Sequence, residues 1–277
     1  MSAPAARPRS PGGWARRRRR LDALRVAAGL LAAPLAAAQS SGDGPAAVPY
    51  RPSVSTPAAL TAPGWIEIEA GLQHDRAGPV ARRDSLPLTA KLAFTDDWGV
   101  RLGADAWVRQ RDDDGARERG YGDTSLVLKR RFAVDEAQAF GLEASVVLAT
   151  ARKSLGSGSG KTDLLVNAIY SADLGPWHAD LNLGGSRLGA AAAGTSRHEI
   201  LWAAAASRAL DERWGVVGEL AGAHRRGERS ERQFLLAASY SVSPRLVLDI
   251  GAARSLRSGG RQWSAFGGVT WLAARLF

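Results

Sequence analysis

The chain has 277 residues, 45% of them apolar, no cysteine and a formal charge of +10 at neutral pH. Without cysteine there is neither a disulfide framework nor a lipid-modified N-terminal cysteine. Residues 1–38 hold eight arginines and one aspartate and leave +3 for the rest, so a nucleic-acid partner, which the whole-chain charge would suggest, loses its support.

Residues 1–38 read as a secretory signal peptide. The basic stretch "WARRRRR" precedes an apolar, alanine-rich run ending in Ala36, Ala37 and Ala38, the small side chains a signal peptidase accepts. The run falls short of the ~20 residues of a spanning helix, and the arginine block also suits a twin-arginine route. Residues 39–63 are rich in proline, alanine and serine without a period, and read as a flexible periplasmic lead-in.

From Gly64 the period is two. "GWIEIEAGLQ" sets Ile66, Ile68, Ala70 and Leu72 against Glu67, Glu69 and Gln73, as in a strand with one apolar and one polar face. "LPLTAKLAF" follows, with Leu86, Leu88, Ala90, Leu92 and Phe94 on the apolar side. Then come "WGVRLGADAWV", with Val100, Leu102, Ala104, Ala106 and Val108, and "SLVLKRRF", with Leu126, Leu128 and Phe132. Eight further segments, from "FGLEASVVL" to "WSAFGGVTW", bring the candidates to twelve.

Short links such as "TDDWG", "DLGPW" and "VSPR" alternate with longer polar ones such as "HDRAGPVARRD", "RQRDDDGARERGYG" and "SRLGAAAAGTSRH". This pattern predicts an all-β chain. Residues 64–277 are expected to form an antiparallel transmembrane up-and-down β-barrel of about 12 strands in the bacterial outer membrane, with short periplasmic turns and long extracellular loops.

Phe94, Trp98, Phe132, Phe140, Trp177, Trp214 and Tyr240 fall on the apolar face beside the short turns, as a periplasmic aromatic girdle would. Tyr121, Trp202, Phe234 and Trp263 suit a thinner outer girdle. Phe277 resembles the terminal aromatic by which the barrel-assembly machinery recognises its clients, although Arg275 breaks the alternation before it.

"LGSGSGKTD", residues 155–163, imitates a phosphate loop but is one residue short, because the required first glycine falls on Leu155. Both flanks alternate with period two and no helix follows, so it reads as a flexible Gly/Ser loop.

Several short motifs resemble the phenol-degradation MetA-pathway family of outer-membrane barrels, often labelled "transporter". They are "GYGDTSLVLKRRF" (120–132), "LATARKSLGSGSGKTDLLVNAIYSADLG" (148–175), "HADLNLGG" (178–185), "GELAG" (218–222) and "SPRLVLDIGAARSL" (243–256). "KSLGSG" lacks the proline of the family's Lys-Leu-Pro-Thr-Gly loop. The resemblance implies transport of small compounds, aromatic or hydrophobic ones among them, and brings no catalytic residues.

Strand parity turns Glu67, Glu69, Lys91, Arg101, Asp105, Asp123, Lys129, Arg131, Glu143, Asp163, Asn167, Asp180, Asn182, Glu219 and Asp249 inward, as lumen-lining residues. Acids outnumber bases there, so an open lumen would favour cations. A filled lumen would instead pair these groups across a narrow barrel.

Four histidines offer little to catalysis. His74, His198 and His224 sit near the long-loop rim, but neither a hydroxyl–histidine motif nor His-x-x-x-His spacing accompanies them, and His178 points inward beside a short turn. No enzyme activity, cofactor or metal is expected. Arg82, Arg83, Arg117, Arg119, Arg225, Arg226, Arg229 and Arg232 lie in the long loops, where they would clamp lipopolysaccharide phosphates or pair with the interleaved acids. The resulting expectation is a passive channel or transporter for small molecules, in contact with outer-membrane lipid and lipopolysaccharide. A structural or adhesive barrel with a plugged lumen is the alternative, and an outer-membrane hydrolase the third reading.

Overall fold

The computed structural model describes residues 44–78, 80–151, 159–256 and 262–277. The signal peptide expected at 1–38 and the centre of the glycine-rich loop, 152–158, lie outside the described residues.

Among the described residues thirteen strands follow one another: β1 (Trp65–Ala77), β2 (Ala81–Ala93), β3 (Trp98–Arg111), β4 (Arg117–Gly120), β5 (Thr124–Ala133), β6 (Gln138–Leu148) and β7 (Asp163–Leu174), then β8 (Trp177–Arg187), β9 (His198–Ala209), β10 (Trp214–Arg225), β11 (Glu231–Ser243), β12 (Leu246–Ser255) and β13 (Gln262–Arg275). Both β4 and β5 pair with β3, end to end, so they make one stave of the wall. β1 pairs antiparallel with β13, from Trp65 opposite Arg275 to Ala77 opposite Gln262, and the sheet closes. The result is an all-β, antiparallel barrel of twelve staves, closed on itself, with only the short β4 paired on one side among the described residues.

The alternation explains the closure. Leu72, Leu102, Leu126, Leu142, Val166, Leu183, Ile200 and Ile250 point outward and are exposed, whereas the residues between them turn inward and are largely buried. A continuous exposed belt of this kind is unfavourable in water and suits hydrocarbon.

Strict alternation fails at one place. Leu86 pairs with Trp107 and Pro87 with Asp105, so Ala106 is the extra residue of a β-bulge. Proline cannot donate a ladder hydrogen bond, and a bulge tolerates that lack. Beyond it the faces exchange: Val108, expected outward, is fully buried inside, and Trp107 stands outside.

Two of the expected long loops are mostly wall. Of "HDRAGPVARRD" residues 74–77 belong to β1 and 81–84 to β2, with Gly78 at φ 93°, and "RQRDDDGARERGYG" contains the end of β3, a five-residue turn and β4. Polarity alone mimics a loop here, because strands that rise past the apolar belt carry charged side chains on both faces.

The lead-in also needs correction. Residues 44–63, read as flexible, run inside the barrel at the short-turn end, and Ala47, Tyr50, Ser53, Ser55, Thr56, Ala58 and Thr61 are almost wholly buried. The barrel wall, more than any contact within the segment itself, orders it.

Candidate functional site

A chain threaded through a barrel without forming a strand leaves its N–H groups unpaired, and a buried unpaired donor costs about 1–3 kcal/mol. Inward carboxylates and amides supply the acceptors. Val48 N donates to Glu67 Oε2 at 2.9 Å and Tyr50 N to Glu69 Oε1 at 2.6 Å. Val54 N and Ser55 N both donate to Glu219, at 2.8 and 2.7 Å to Oε2, and the Ser55 hydroxyl joins them at 2.9 Å. Thr56 and Asn182 exchange two bonds, 2.9 Å from Thr56 N to Oδ1 and 2.8 Å from Nδ2 to Thr56 O. Ala58 N donates to Ser171 Oγ, which donates in turn to Asp180.

Two side chains of the plug reach the wall. Arg51 forks onto Asp249, 3.2 Å from Nε to Oδ2 and 3.3 Å from Nη2 to Oδ1. It fits because β1 and β13 present glycine there: a Cβ on Gly71 or on Gly268 would lie 2.5 Å from the guanidinium group. The Tyr50 ring lies between Lys91 Nζ, 3.8 Å from its centroid, and Lys129 Nζ at 4.4 Å. Burial, reinforced by Glu143, pushes the Tyr50 phenol well above its ordinary pKa. The hydroxyl therefore stays protonated and donates to Ala59 O at 2.7 Å.

The two lysines are held in turn. Lys91 Nζ stands 2.6 Å from both Glu67 and Glu69 and donates to Val48 O, while Lys129 lies 3.4 Å from Glu143 and donates to Pro57 O. The excess of inward acid thus has a use other than cation selection. Much of it accepts hydrogen bonds from the plug backbone.

Above the plug the lumen changes character. Val54 floors a pocket of about 50 Å³, lined among others by Leu201, Ala203, Ala221, Ala223, Asn167 and Gln233. Its lining residues Leu201 and Ala223 pack with Leu165, and a separate apolar cluster joins Ala205, Val217, Leu235 and Ala253 with Phe266 against them. Across the barrel the wall is polar, with Arg83 bonded to Asp105 and Ser264 donating to Asp75 at 2.6 Å. The cup is apolar on one side and polar on the other.

Of the fifteen residues read as inward, Glu67, Glu69, Lys91, Arg101, Lys129, Glu143, Asn167, Asp180, Asn182, Glu219 and Asp249 surround the plug. Asp105 pairs with Arg83, Asp123 accepts from Ala151 N, Asp163 accepts from Ser159 Oγ and Gly189 N, and Arg131 sits half-buried beside the short turns. Sequence reasoning missed the plug's own contributors. Tyr50 and Arg51 are the sole aromatic and the sole charged residue of 44–63, a signal that the segment has partners.

The girdle residues Phe94, Phe132, Phe140, Trp177 and Trp214 are exposed outside the short-turn end, with Trp98 and Tyr240 partly covered. Trp214 packs tilted against Tyr240 at 4.9 Å, and Phe140 against Tyr170, which belongs to the same belt. Arginines overlie these rings, Arg130 on Trp98 and Phe132 and Arg208 on Trp177. The rim histidines are not brought together: His74 binds Asp84 on the outer face and His224 binds Ser230. Among the described residues no three metal-ligating side chains converge.

No family model and no curated protein matches the sequence. Solved structures share its architecture. The COG4313 outer membrane channel from Pseudomonas putida F1 superposes with a TM-score of 0.62 at 15% identity, over 77% of this chain and 97% of that one. The NanC porin gives 0.54 at 10% identity, over 74% and 98%, and the KdgM porin 0.51 at 11%, over 74% and 99%. The chain has the fold of outer-membrane channel barrels. At these identities the likeness extends to the fold alone.

Proposed function

We propose that the mature chain is an outer-membrane channel for small, largely apolar molecules, closed on its periplasmic side by residues 44–63. The observation that carries this reading is the division of the lumen: an apolar-walled cup opens at the long-loop end, and its floor is a segment held by side-chain bonds. Such a floor can be released without unzipping any strand, because most of its hydrogen bonds to the wall are made to side chains of staves that stay paired to each other. The alternating turn and loop lengths support a cup that faces the cell exterior. The family-like motifs point to the same substrate class.

A KdgM porin has been solved with oligogalacturonate, an acidic sugar polymer. Here the inward acids Glu69, Glu143, Asp180 and Glu219 would repel such a chain. A lining that includes Val54, Leu201, Ala203, Ala221 and Ala223 fits a small aromatic or aliphatic guest.

The test is entry of toluene into vesicles whose outer leaflet is lipopolysaccharide, where passage without protein is slow. Vesicles holding the mature chain should fill faster than protein-free vesicles, and faster again with Glu219→Ala. Equal rates in all three would leave the plugged, structural barrel as the reading.

A further inference from the structure

The outer face of β1–β4 carries a second pattern at the long-loop end. Across the ladder Arg76 stands opposite Arg82, Arg82 opposite Arg111, and Arg111 opposite Arg117. One pleat nearer the apolar belt, His74 stands opposite Asp84, Asp84 opposite Arg109, and Arg109 opposite Arg119. Like charges directly opposite one another destabilise a sheet, and here they form a continuous row.

Six arginines share this face with a single carboxylate. Asp84 is already engaged, 2.6 Å from His74 Nδ1 and 2.9 Å from Arg109 Nη2. In the adjoining turn Asp112 accepts from Gln110 and Asp114 from Ala116 N, so these acids shape the hairpin. Among the described residues Arg82, Arg111, Arg117 and Arg119 make no ion pair, and Arg111 Nε is buried without a hydrogen-bond partner. On other staves of the outer face Arg187 stands between Leu164 and His198, and Arg254 between Phe234 and Trp263.

The position of the grid indicates what it meets. Its inner row follows directly on Leu72, Leu86 and Trp107, the last apolar outward residues of β1, β2 and β3. It therefore stands at the level of the lipid headgroups. Strands about 4.8 Å apart and pleats about 7 Å apart spread the guanidinium groups over roughly 15 Å, wide enough for more than one phosphate. Each planar fork can hold a phosphate through two parallel N–H donors.

We propose that this arginine grid binds the phosphates of lipopolysaccharide in the outer leaflet, with Arg82, Arg111, Arg117 and Arg119 as the principal donors. The site is independent of the channel reading, since it lies on the opposite face of the wall.

The experiment uses the folded mature chain in detergent and measures retention of bisphosphoryl lipid A by native mass spectrometry. Wild-type protein should retain this lipid about tenfold or more better than its dephosphorylated form, and a combined Arg82→Gln, Arg111→Gln, Arg117→Gln variant should lose that advantage. A control with Arg187→Gln and Arg254→Gln should keep it. Heat-modifiable gel mobility checks that each barrel is folded. Should the combined variant fail to fold, Arg117→Gln alone, on the short β4 hairpin, should weaken retention about threefold. Equal retention of the dephosphorylated lipid, equal loss in the control, equal affinity for phosphatidylglycerol, or displacement by inorganic phosphate alone would overturn the assignment.

Discussion

The two halves of the lumen are lined by the same staves yet do different work. At the short-turn end the inward residues are Glu67, Glu69, Lys91, Glu143, Asn167, Asp180 and Glu219, and a threaded segment uses their polar atoms. At the long-loop end the inward faces of β7, β9, β10 and β11 become Leu165, Leu201, Ala223 and Leu235, and the space stays open. One barrel thus combines a polar lock with an apolar vestibule. The difference comes from what each half can satisfy: carboxylates accept backbone donors from an irregular chain, whereas alkyl groups offer them nothing.

Removing the lock should break the contrast most completely. A mature chain lacking residues 44–63 should show discrete, cation-favouring conductance steps in a planar bilayer, since the freed acids would then line a wet pore. The intact chain should be nearly silent. Equal conductance from both would mean that the segment does not close the barrel.

Next in size is Glu219→Ala. It strips the acceptor from Val54 N and Ser55 N together, which should weaken docking of the segment by roughly 2–5 kcal/mol. Amide exchange at those two residues should accelerate about a hundredfold or more while the strand amides hardly change. Gly71→Ala should act more narrowly. Its Cβ would displace the Arg51 guanidinium group and leave Asp249 buried without its partner, costing up to about 3 kcal/mol and faster exchange around Arg51.

The vestibule is tested from the other side by Leu201→Asp. Binding of a fluorescent aromatic probe to the cup should fall about tenfold, with exchange of the plug amides unaltered. Smallest of all is a change far from both halves. In the turn after β9, backbone N–H groups of Trp214 and Arg213 hold the Asp211 carboxyl below its ordinary pKa. Its contribution to stability is therefore present at neutral pH and fades as acid brings the pH down through that lowered value. Asp211→Asn should shift the urea midpoint slightly at neutral pH and not at all in strong acid.

Much of the barrel was legible from alternation, because a strand's two faces are decided by residues two apart. The exception at Val108 arose from one inserted residue, Ala106, beside Pro87 of the neighbouring strand. The loops at 74–84 and 109–122 were misread for a related reason. Their arginines and aspartates resemble loop composition, yet they alternate as wall above the belt.

Sequence alone determined the class of fold, the aromatic belt beside the short turns and the polarity of the inner face, since each depends on spacing within single strands. Tertiary structure decided what that inner face is for. Ser55 meets Glu219 across 164 residues of chain and Thr56 meets Asn182 across 126, and these partners coincide only once β1 and β13 have closed the wall. A segment without period or propensity becomes ordered there because burial leaves its backbone donors no other acceptors.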